Sequence, residues 1–268
     1  MSDLERILTR VRDWLADGGR VLMVCDYDGT LSPTVGEPAH AWLSADVRRN
    51  LRVLADCPNV RLAILSGRDL GDLRARVGVA DAIYGGCYGL EVDGPDLAFS
   101  HPEAEAQQES LRTIGLALNQ RAQVVSGMRV EAKRLGVALH YRDVPLAQMG
   151  QVEVELSRAI QRSGYRLKIF HGSKVIEILP QVAWNKGQCA LWIRETTLRS
   201  SSRPLLMIYM GDDWTDEIAF EALSRQAITI KIGPPVPASR AHYRFDDIDT
   251  AHALMAGLAS LAEVKGAA

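Results

Sequence analysis

The sequence predicts an α/β protein with a mostly parallel sheet, interrupted by a small inserted domain that carries an antiparallel sheet. The first observation is that short, continuous apolar runs alternate with stretches of helical periodicity in residues 1–101 and 181–268. Such runs are typical of strands that helices cover on both faces. The second observation is that residues 102–180 contain strand-like segments in which apolar and polar residues alternate, as in a sheet with one solvated face.

The elements of the parallel-sheet region follow one another as alternating helices and strands. Apolar residues recur at helical spacing from Leu4 to Leu15, which predicts an amphipathic first helix. The predicted strands are Val21–Cys25, Leu62–Leu65, Leu205–Met210 and Ile228–Ile232. The other predicted helices are Ala45–Ala55 behind the N-cap residue Ser44, Leu70–Val77 and Ala251–Val264. Strands that alternate with helices form right-handed βαβ units, so the sheet should be mostly parallel.

The middle of the chain follows a different pattern. Its helix candidates are Glu103–Arg121 and Leu146–Arg162. Its strand candidates are Met128–Lys133, Val137–Tyr141, Arg166–Phe170 and Lys174–Leu179. The resulting order, ββαββ after a helix, predicts a small α+β domain at residues 102–180, inserted into a core made of residues 1–101 and 181–268.

Composition excludes several classes of protein. The 31 Lys and Arg residues against 33 Asp and Glu give a net charge of −2, which argues against a nucleic-acid-binding surface. Every apolar run is much shorter than the roughly 18 residues that indicate a membrane span. The four cysteines lie far apart, as expected of reduced thiols in a cytoplasmic protein. We therefore expect a cytoplasmic monomer with a small-molecule partner, no nucleic acid and no membrane.

Four polar clusters follow predicted strands or begin predicted helices. In open α/β sheets, reactive groups collect beyond the carboxyl ends of the strands. The clusters are Asp26-Tyr27-Asp28-Gly29-Thr30, Ser66-Gly67-Arg68-Asp69, Asn185-Lys186-Gly187 and Gly211-Asp212-Asp213-Trp214-Thr215-Asp216-Glu217. We expect them to meet at one edge of the sheet.

Each cluster taken alone has a simpler explanation. An acid pair before a glycine is often an ordinary turn, and a serine before a helix is often an N-cap. A lone lysine is usually solvated, and acidic residues are favoured at any helix start. Together, however, the clusters supply a nucleophile, a phosphate-binding loop and carboxylates suited to Mg²⁺. These are the groups that phosphoryl transfer requires.

At these residues the sequence closely resembles the haloacid dehalogenase (HAD) superfamily of phosphatases, because DYDGTL, SGR, the lysine of NKG and GDDWTDE match its four motifs in order. It further resembles the trehalose-6-phosphate phosphatase family in DYDGTLSP, EAKRLGVALHYR, KVIEILP and GDDWTDEIAF, over roughly residues 20–232. The resemblance implies a Rossmann-like HAD core with an inserted cap. It also implies Mg²⁺-dependent hydrolysis of trehalose 6-phosphate to trehalose and phosphate through an aspartyl-phosphate intermediate.

The resemblance implies a role for each matching residue. Asp26 would be the nucleophile, and Asp28 would protonate the leaving sugar oxygen and then activate water. Ser66 and Lys186 would hold the phosphate oxygens. Further residues implied in substrate binding are Thr30, Gly67 and Arg68. The implied Mg²⁺ ligands are the Asp26 carboxylate, the Asp28 backbone carbonyl and Asp212, with Asp213 or Asp216 supporting through water.

The inserted region would supply the groups that bind the sugar. The candidates that the resemblance implies are Glu131, Lys133, His140, Arg142, Lys174 and Glu177. Strand alternation agrees in part, because it puts Glu131 and Lys133 on one face, and likewise His140 and Arg142. The same polar row would also suit the solvated face of a half-buried sheet.

Two departures from the family pattern leave the sugar open. Tyr88 stands where the family usually has a histidine, and Asn185 stands where it usually has an aspartate. A phosphatase for another glycosyl or pseudo-disaccharide phosphate is therefore an alternative. A phosphosugar mutase is a second alternative, and a non-catalytic sugar-phosphate sensor is a third, although a sensor has no need of the second carboxylate, Asp28.

Overall fold

The computed structural model describes residues 1–36, 38–164, 166–172 and 174–266 of the chain. These residues form two compact units. The first consists of Met1–Phe99 with Trp184–Ala268, and the second of Ser100–Ala183. No helix in the described part of the chain combines the length and apolar character needed to cross a bilayer.

Strands and helices alternate in the first unit, whereas the second unit has two pairs of strands. The strands are β1 Arg20–Asp26, β2 Val60–Leu65, β3 Ile83–Gly86, β4 Glu91–Gly94, β5 Leu97–Ser100, β6 Arg129–Lys133, β7 Gly136–His140, β8 Leu167–His171, β9 Val175–Pro180, β10 Leu205–Gly211, β11 Ala227–Ile232 and β12 Tyr243–Phe245. The α-helices are α1 Asp3–Ala16, α2 Ala45–Asp56, α3 Leu70–Val77, α4 Pro102–Glu105, α5 Gln108–Ala122, α6 Met149–Ser163, α7 Lys186–Arg199, α8 Trp214–Leu223 and α9 Ile248–Gly266.

The predicted α/β fold with a mostly parallel sheet is confirmed. In the described residues, one sheet has the strand order β12-β11-β10-β1-β2-β3-β4-β5. All the neighbouring pairs from β12 to β3 are parallel, and β4 runs antiparallel to β3. The central strand β1 therefore lies between β10 and β2, so loops that are far apart in the sequence follow adjacent strands.

The continuous apolar runs arise because both faces of this sheet are buried. In β1, Met23 and Cys25 pack into one hydrophobic cluster together with residues of α1, α2, α3 and α9. Leu22 and Val24 point the other way, into a second cluster that includes residues of α7 and α8. Because successive side chains of a strand alternate between its faces, both sets of positions must be apolar.

The second unit has a four-stranded sheet in the order β6-β7-β9-β8. Its neighbouring strands are antiparallel. One face is apolar and packs into a cluster with residues of α5 and α6. In the register of the other face, Glu131 is opposite Ala138, which is opposite Glu177. This sheet is thus polar on one side and apolar on the other, as strand alternation predicts.

Several elements differ from the sequence-based prediction. The predicted helix Glu103–Arg121 is two helices, α4 and α5, although no glycine or proline marks the break between them. The prediction also lacks four strands, namely β3, β4, β5 and β12. These strands are only three or four residues long, and β3 ends in two glycines, so they are too short for a periodic strand pattern to be recognised.

Replacing a core isoleucine of β10 should destabilise the protein far more than the same replacement on a helix surface. Ile208 is 0% exposed, whereas Ile218 of α8 is 39% exposed. Ile208→Ala should lower the free energy of unfolding by about 2–5 kcal/mol, because it leaves a cavity. Ile218→Ala should change it by less than about 0.5 kcal/mol. Urea unfolding followed by circular dichroism measures both, and equal midpoints would contradict the assignment of β10 to the core.

Candidate active site

Asp26, Lys186 and Asp216 meet at the carboxyl edge of the parallel sheet. The Lys186 Nζ atom donates to Asp26 Oδ1 at 2.6 Å and to Asp216 Oδ1 at 3.0 Å. Asp26 is the last residue of β1, and Lys186 is the first residue of α7. All three residues are buried. The structure therefore brings together residues from three of the four sequence clusters, as expected from their positions after strands and before helices.

Three carboxylates lie close together beside Lys186. Oxygen atoms of Asp26, Asp212 and Asp216 lie within 4.8 Å of one another, in an arrangement able to hold a metal ion. Gly29 is packed against this group, since a Cβ atom there would overlap the Asp212 carboxylate, and its φ of +85° also favours glycine. Asp26, Asp212 and Asp216 thus form a candidate cation site, bounded by the loop after β1.

Buried negative charge raises the pKa values of these carboxyl groups. Burial, opposed by Lys186, raises the pKa of Asp26 well above its ordinary value. Burial and the neighbouring aspartates raise the pKa of Asp212 to about 7. Burial also raises that of Asp216 to about 6. Burial alone would lower the pKa of Lys186, but Asp216 and Asp26 raise it well above its usual value. The two lysines of this region, Lys186 and Lys231, do not balance its four aspartates, and a divalent cation fits this excess of negative charge.

The carboxylate of Asp216 already accepts four hydrogen bonds. Its Oδ1 atom accepts from Lys186 and from the Tyr209 hydroxyl, the latter at 2.8 Å. Its Oδ2 atom accepts from the backbone N–H groups of Asp212 at 3.0 Å and of Asp213 at 3.1 Å. A carboxylate has about four lone-pair positions, so these four bonds use the hydrogen-bonding capacity of the Asp216 carboxylate. Asp216 is therefore suited to orienting the acidic loop, which leaves Asp26 and Asp212 as the better placed direct ligands.

Asp213 does not belong to the carboxylate group that could hold a metal. It is the N-cap of α8, and its Oδ1 atom accepts hydrogen bonds from the backbone N–H groups of Thr215 and Asp216. Lys186 and the hydrogen bonds from Thr215 and Asp216 hold its pKa below the ordinary value, against the opposing effect of burial. Asp213 thus stabilises the start of the helix that carries Asp216.

Ser66 follows β2 beside the nucleophile candidate. Leu65 pairs in register with Asp26, so Ser66 lies one residue beyond that pair. Ser66 is buried, and its Oγ atom accepts a hydrogen bond from the backbone N–H of Arg68 at 3.2 Å. The Arg68 side chain binds the carboxylate of Asp28. Thr30 is also buried, and its Oγ1 atom has no hydrogen-bond partner in the described residues.

The two departures from the family pattern, Asn185 and Tyr88, make defined contacts in the structure. The Asn185 side chain caps α7, accepting from the N–H groups of Gly187 at 2.8 Å and Gln188 at 3.2 Å. An amide oxygen thus performs the capping that a carboxylate could. Tyr88 packs against Gly67, since a Cβ atom there would lie 2.6 Å from the tyrosine Cζ. The phenol ring of Tyr88 therefore lies beside the Ser66 loop.

Two buried residues that the sequence motifs do not include support the acidic loop. Lys231 is 3% exposed, and its Nζ atom donates to the backbone carbonyl of Asp212. Tyr209 is 0% exposed and bonds Asp216. Both lie inside predicted strands, where a polar side chain in a buried apolar run was the available signal.

The six candidate sugar-binding residues of the second unit differ in burial and in their position relative to the sheet. Lys133 Nζ donates to both carboxylate oxygens of Glu177 at 2.8 Å, and both residues are buried. His140 Nε2 lies 3.2 Å from Glu131 Oε2 on the same face. Arg142 lies beyond the end of β7, in a turn, and not on the strand face with His140. Lys174 is exposed, with a φ of +64°.

Comparison with known proteins agrees with the motifs. The family model for trehalose-phosphatase matches residues 24–248. The trehalose-phosphate phosphatase of Mycobacterium tuberculosis is 39% identical over 209 residues, which is 77% of this chain and 52% of that protein. The chain thus spans about half the length of the relatives it matches.

Solved structures share the fold. A trehalose-6-phosphate phosphatase related protein aligns with a TM-score of 0.78 and 21% identity, covering 91% of this chain and 99% of the other. A haloacid dehalogenase-like hydrolase from Bacteroides thetaiotaomicron aligns with a TM-score of 0.54 and 16% identity, covering 92% and 99%. These alignments confirm the predicted HAD-like fold, and the family match confirms the resemblance: this chain belongs to the trehalose-phosphatase family.

Proposed function

We propose that this chain is a phosphoric monoester hydrolase that converts trehalose 6-phosphate to trehalose and phosphate through an aspartyl-phosphate on Asp26. The observation that carries the proposal is the buried Lys186, bonded to both Asp26 and Asp216 beside Asp212. This arrangement supplies a nucleophile and a cation at the same edge of the sheet. Membership of the trehalose-phosphatase family and the names of the relatives support the choice of substrate.

Asp26 and Asp28, the two carboxylates of the first cluster, have different roles in the reaction. An oxygen of Asp26 attacks phosphorus, and the bond from phosphorus to the sugar oxygen breaks as Asp28 gives that oxygen a proton. Water then attacks the aspartyl-phosphate, and Asp28 takes a proton from that water. Phosphate leaves, and Asp26 regains its carboxylate.

Groups around Asp26 hold the phosphoryl oxygens in this proposal. They are the Ser66 and Thr30 hydroxyls, the backbone N–H group of Gly67 and the Lys186 ammonium, whereas the N–H group of Arg68 donates to Ser66 Oγ. Gly67 lies in the loop that leads into α3, and the N-terminus of a helix favours an anion nearby. Thr30 fits this role because its buried Oγ1 atom has no other hydrogen-bond partner in the described part of the chain.

Asp26 and Asp212 would hold Mg²⁺ together with the backbone carbonyl of Asp28, while Asp213 and Asp216 orient the loop. When bound, the ion would offset the negative charge of the phosphoryl oxygens. Lys231 and Tyr209 hold the same loop through hydrogen bonds to the Asp212 carbonyl and the Asp216 carboxylate. The arrangement favours a divalent cation because carboxylate oxygens are the ligands that Mg²⁺ prefers.

The inserted unit would recognise the sugar through the polar face of its sheet. Sugar hydroxyls need both donors and acceptors, which Glu131, His140, Lys133 and Glu177 provide on this face. Arg142 and Lys174 would provide further donors from the turns next to the sheet. Tyr88 beside the Ser66 loop would allow one alternative substrate class, another glycosyl or pseudo-disaccharide phosphate. A sensor role has less support, because Asp28 would then have no function. The cytoplasmic location and the monomeric state remain predictions.

Phosphate release from a panel of sugar phosphates tests the activity and the nucleophile together. With Mg²⁺, the protein should hydrolyse trehalose 6-phosphate faster than sucrose 6-phosphate or glucose 6-phosphate, and EDTA should stop the reaction. Asp26→Asn should be inactive. Asp28→Asn should be slower by about 10²–10⁴-fold, because it removes the acid and base.

Mass spectrometry of acid-quenched protein tests the intermediate itself. With p-nitrophenyl phosphate as substrate, Asp28→Asn should accumulate one phosphoryl group on Asp26, because p-nitrophenolate leaves without a proton whereas the attack of water is slowed. Asp46→Asn is the matched control, since Asp46 is exposed on α2. Full activity of Asp26→Asn would refute the nucleophile, and activity on another sugar phosphate alone would redirect the proposal to that substrate.

Variants in the inserted unit test sugar recognition. Glu131→Ala and Arg142→Ala should each lower kcat/KM for trehalose 6-phosphate by about tenfold or more, because each removes a hydrogen bond to the sugar. Hydrolysis of p-nitrophenyl phosphate, which has no sugar, should be unchanged. Arg112→Ala on the exposed surface of α5 is the control. Equal losses on both substrates would mean that these residues do not bind the sugar.

The pKa of Asp212 predicts a pH-dependent effect of Mg²⁺ on stability. A carboxyl whose pKa is raised on folding stabilises the fold below its unfolded value, and this contribution is lost as the pH rises through the folded value. With the pKa of Asp212 at about 7, the metal-free protein should lose stability between about pH 4 and that value. Mg²⁺ removes the repulsion, so it should raise Tm more near about pH 8 than near about pH 5.5.

Thermal unfolding in Mg²⁺ and in EDTA at both pH values measures this effect. Asp212→Asn should stabilise the metal-free protein near about pH 8 and should abolish most of the Mg²⁺ effect. Asp246→Asn is the control, because Asp246 is exposed and 2.5 Å from Arg244 at the surface. The same Mg²⁺-induced rise in Tm at both pH values would show that Asp212 does not couple protons to the metal.

A further inference from the structure

Arg68 holds the carboxylate of Asp28 through two parallel hydrogen bonds. The Nε atom donates to Oδ2 at 2.7 Å, and the Nη2 atom donates to Oδ1 at 2.6 Å. The Arg68 side chain is 10% exposed and that of Asp28 is 41% exposed. Such a two-point pairing fixes the plane of a carboxylate as well as its distance. Asp28 is therefore oriented by a largely buried cation.

The guanidinium of Arg68 is itself fixed by other groups of the first unit. Its Nη1 atom donates to Asp72 Oδ2 at 2.9 Å, and its Cζ atom lies 5.3 Å from the centre of the Tyr27 ring. Asp72 in turn accepts from Arg76 at 2.8 Å, and Arg76 donates to the backbone carbonyl of Ala41 at 3.1 Å. Arg68 thus belongs to a connected series of charged groups and gives Asp28 a rigid partner.

This pairing determines which lone pairs of Asp28 remain available. A carboxylate offers about four lone-pair positions. Arg68 uses one on each oxygen, and the remaining positions face away from the guanidinium. We propose, building on the phosphatase function above, that the Arg68 side chain is a positioning residue, which orients Asp28 toward the leaving sugar oxygen and does not itself bind the phosphate.

The oriented group takes part in one proton transfer in each half-reaction. As the bond between phosphorus and the sugar oxygen breaks, the O–H bond of Asp28 breaks and a new O–H bond forms on the sugar oxygen. The carboxylate left behind keeps both hydrogen bonds from Arg68. In the second half-reaction, the same carboxylate takes a proton from the attacking water, while the water oxygen bonds to phosphorus and the bond from phosphorus to the Asp26 oxygen breaks.

Two substrates with different leaving groups separate this role from phosphate binding. The sugar oxygen of trehalose 6-phosphate needs a proton to leave, whereas p-nitrophenolate leaves readily without one. In single-turnover measurements of the first half-reaction, Arg68→Gln should lower the rate of trehalose release from trehalose 6-phosphate by about 10²-fold or more. The single-turnover rate of p-nitrophenolate release and inhibition by inorganic phosphate should change little, because the second half-reaction, which both substrates share, does not enter these rates. Because each ratio compares two substrates on one preparation, a partly unfolded variant does not alter it.

Two further variants test the geometry. Arg68→Lys keeps the charge but loses the two-point pairing, so it should restore only part of the activity on trehalose 6-phosphate. Arg74→Gln on the helix that follows Arg68 is the matched control, since Arg74 pairs with Asp93 and not with Asp28. Both substrates should be unaffected in that variant.

A double-mutant cycle completes the test. In an Asp28→Asn background, Arg68→Gln should cause no additional loss, because the group that it positions is already gone. An additional loss of the same size would overturn the proposal, as would equal losses in the single-turnover rates of both substrates or weaker inhibition by phosphate. Full rescue by Arg68→Lys would also overturn it, by showing that charge alone suffices. If the wild-type protein hydrolyses neither substrate, the phosphatase function fails instead.

Discussion

The buried pairing of Lys186 with Asp26 and Asp216 is the interaction on which the rest of the site depends. Burying the Lys186 ammonium or either carboxylate without a partner would be costly. Here the ammonium nitrogen lies 2.6 Å from Asp26 Oδ1 and 3.0 Å from Asp216 Oδ1. Each is tolerable because the others are present, and Tyr209 and two backbone N–H groups supply the remaining hydrogen bonds. The loops after β1 and β10 and the start of α7 are therefore held together by charge. Any change to one of these residues alters the environment of the other two.

Sheet topology explains why those charges can meet. Asp26 ends β1, and the neighbouring strands β2 and β10 run parallel to it. Their carboxyl ends deliver Ser66 on one side and the acidic loop on the other. Helices on both faces of the sheet fix the strands through two separate hydrophobic clusters. The apolar packing of β1 thus sets the position of Asp26, and the charged groups act only at its end.

Much of this arrangement could be predicted because it follows from simple patterns. Strands buried on both faces appear as apolar runs, and the carboxyl ends of parallel strands share an edge, so Asp26, Lys186 and Asp212 could be placed together. The pairing of Arg68 with Asp28 could not be predicted, because it depends on side-chain rotamers and on the conformations of two loops. The role of Asp213 as a helix cap could not be predicted either, because an aspartate before a helix can serve as a cap or as a metal ligand.

The connected charges around the start of α3 also limit how this part of the chain can change in length. Arg68 lies in the loop before the helix, whereas Asp72 and Arg76 lie about one helical turn apart on α3. Adding or deleting one residue between Asp72 and Arg76 would rotate one partner by about 100° around the helix axis and break the series. Related sequences can therefore vary the exposed positions of α3 freely, whereas natural insertions and deletions should not occur between Arg68 and Arg76.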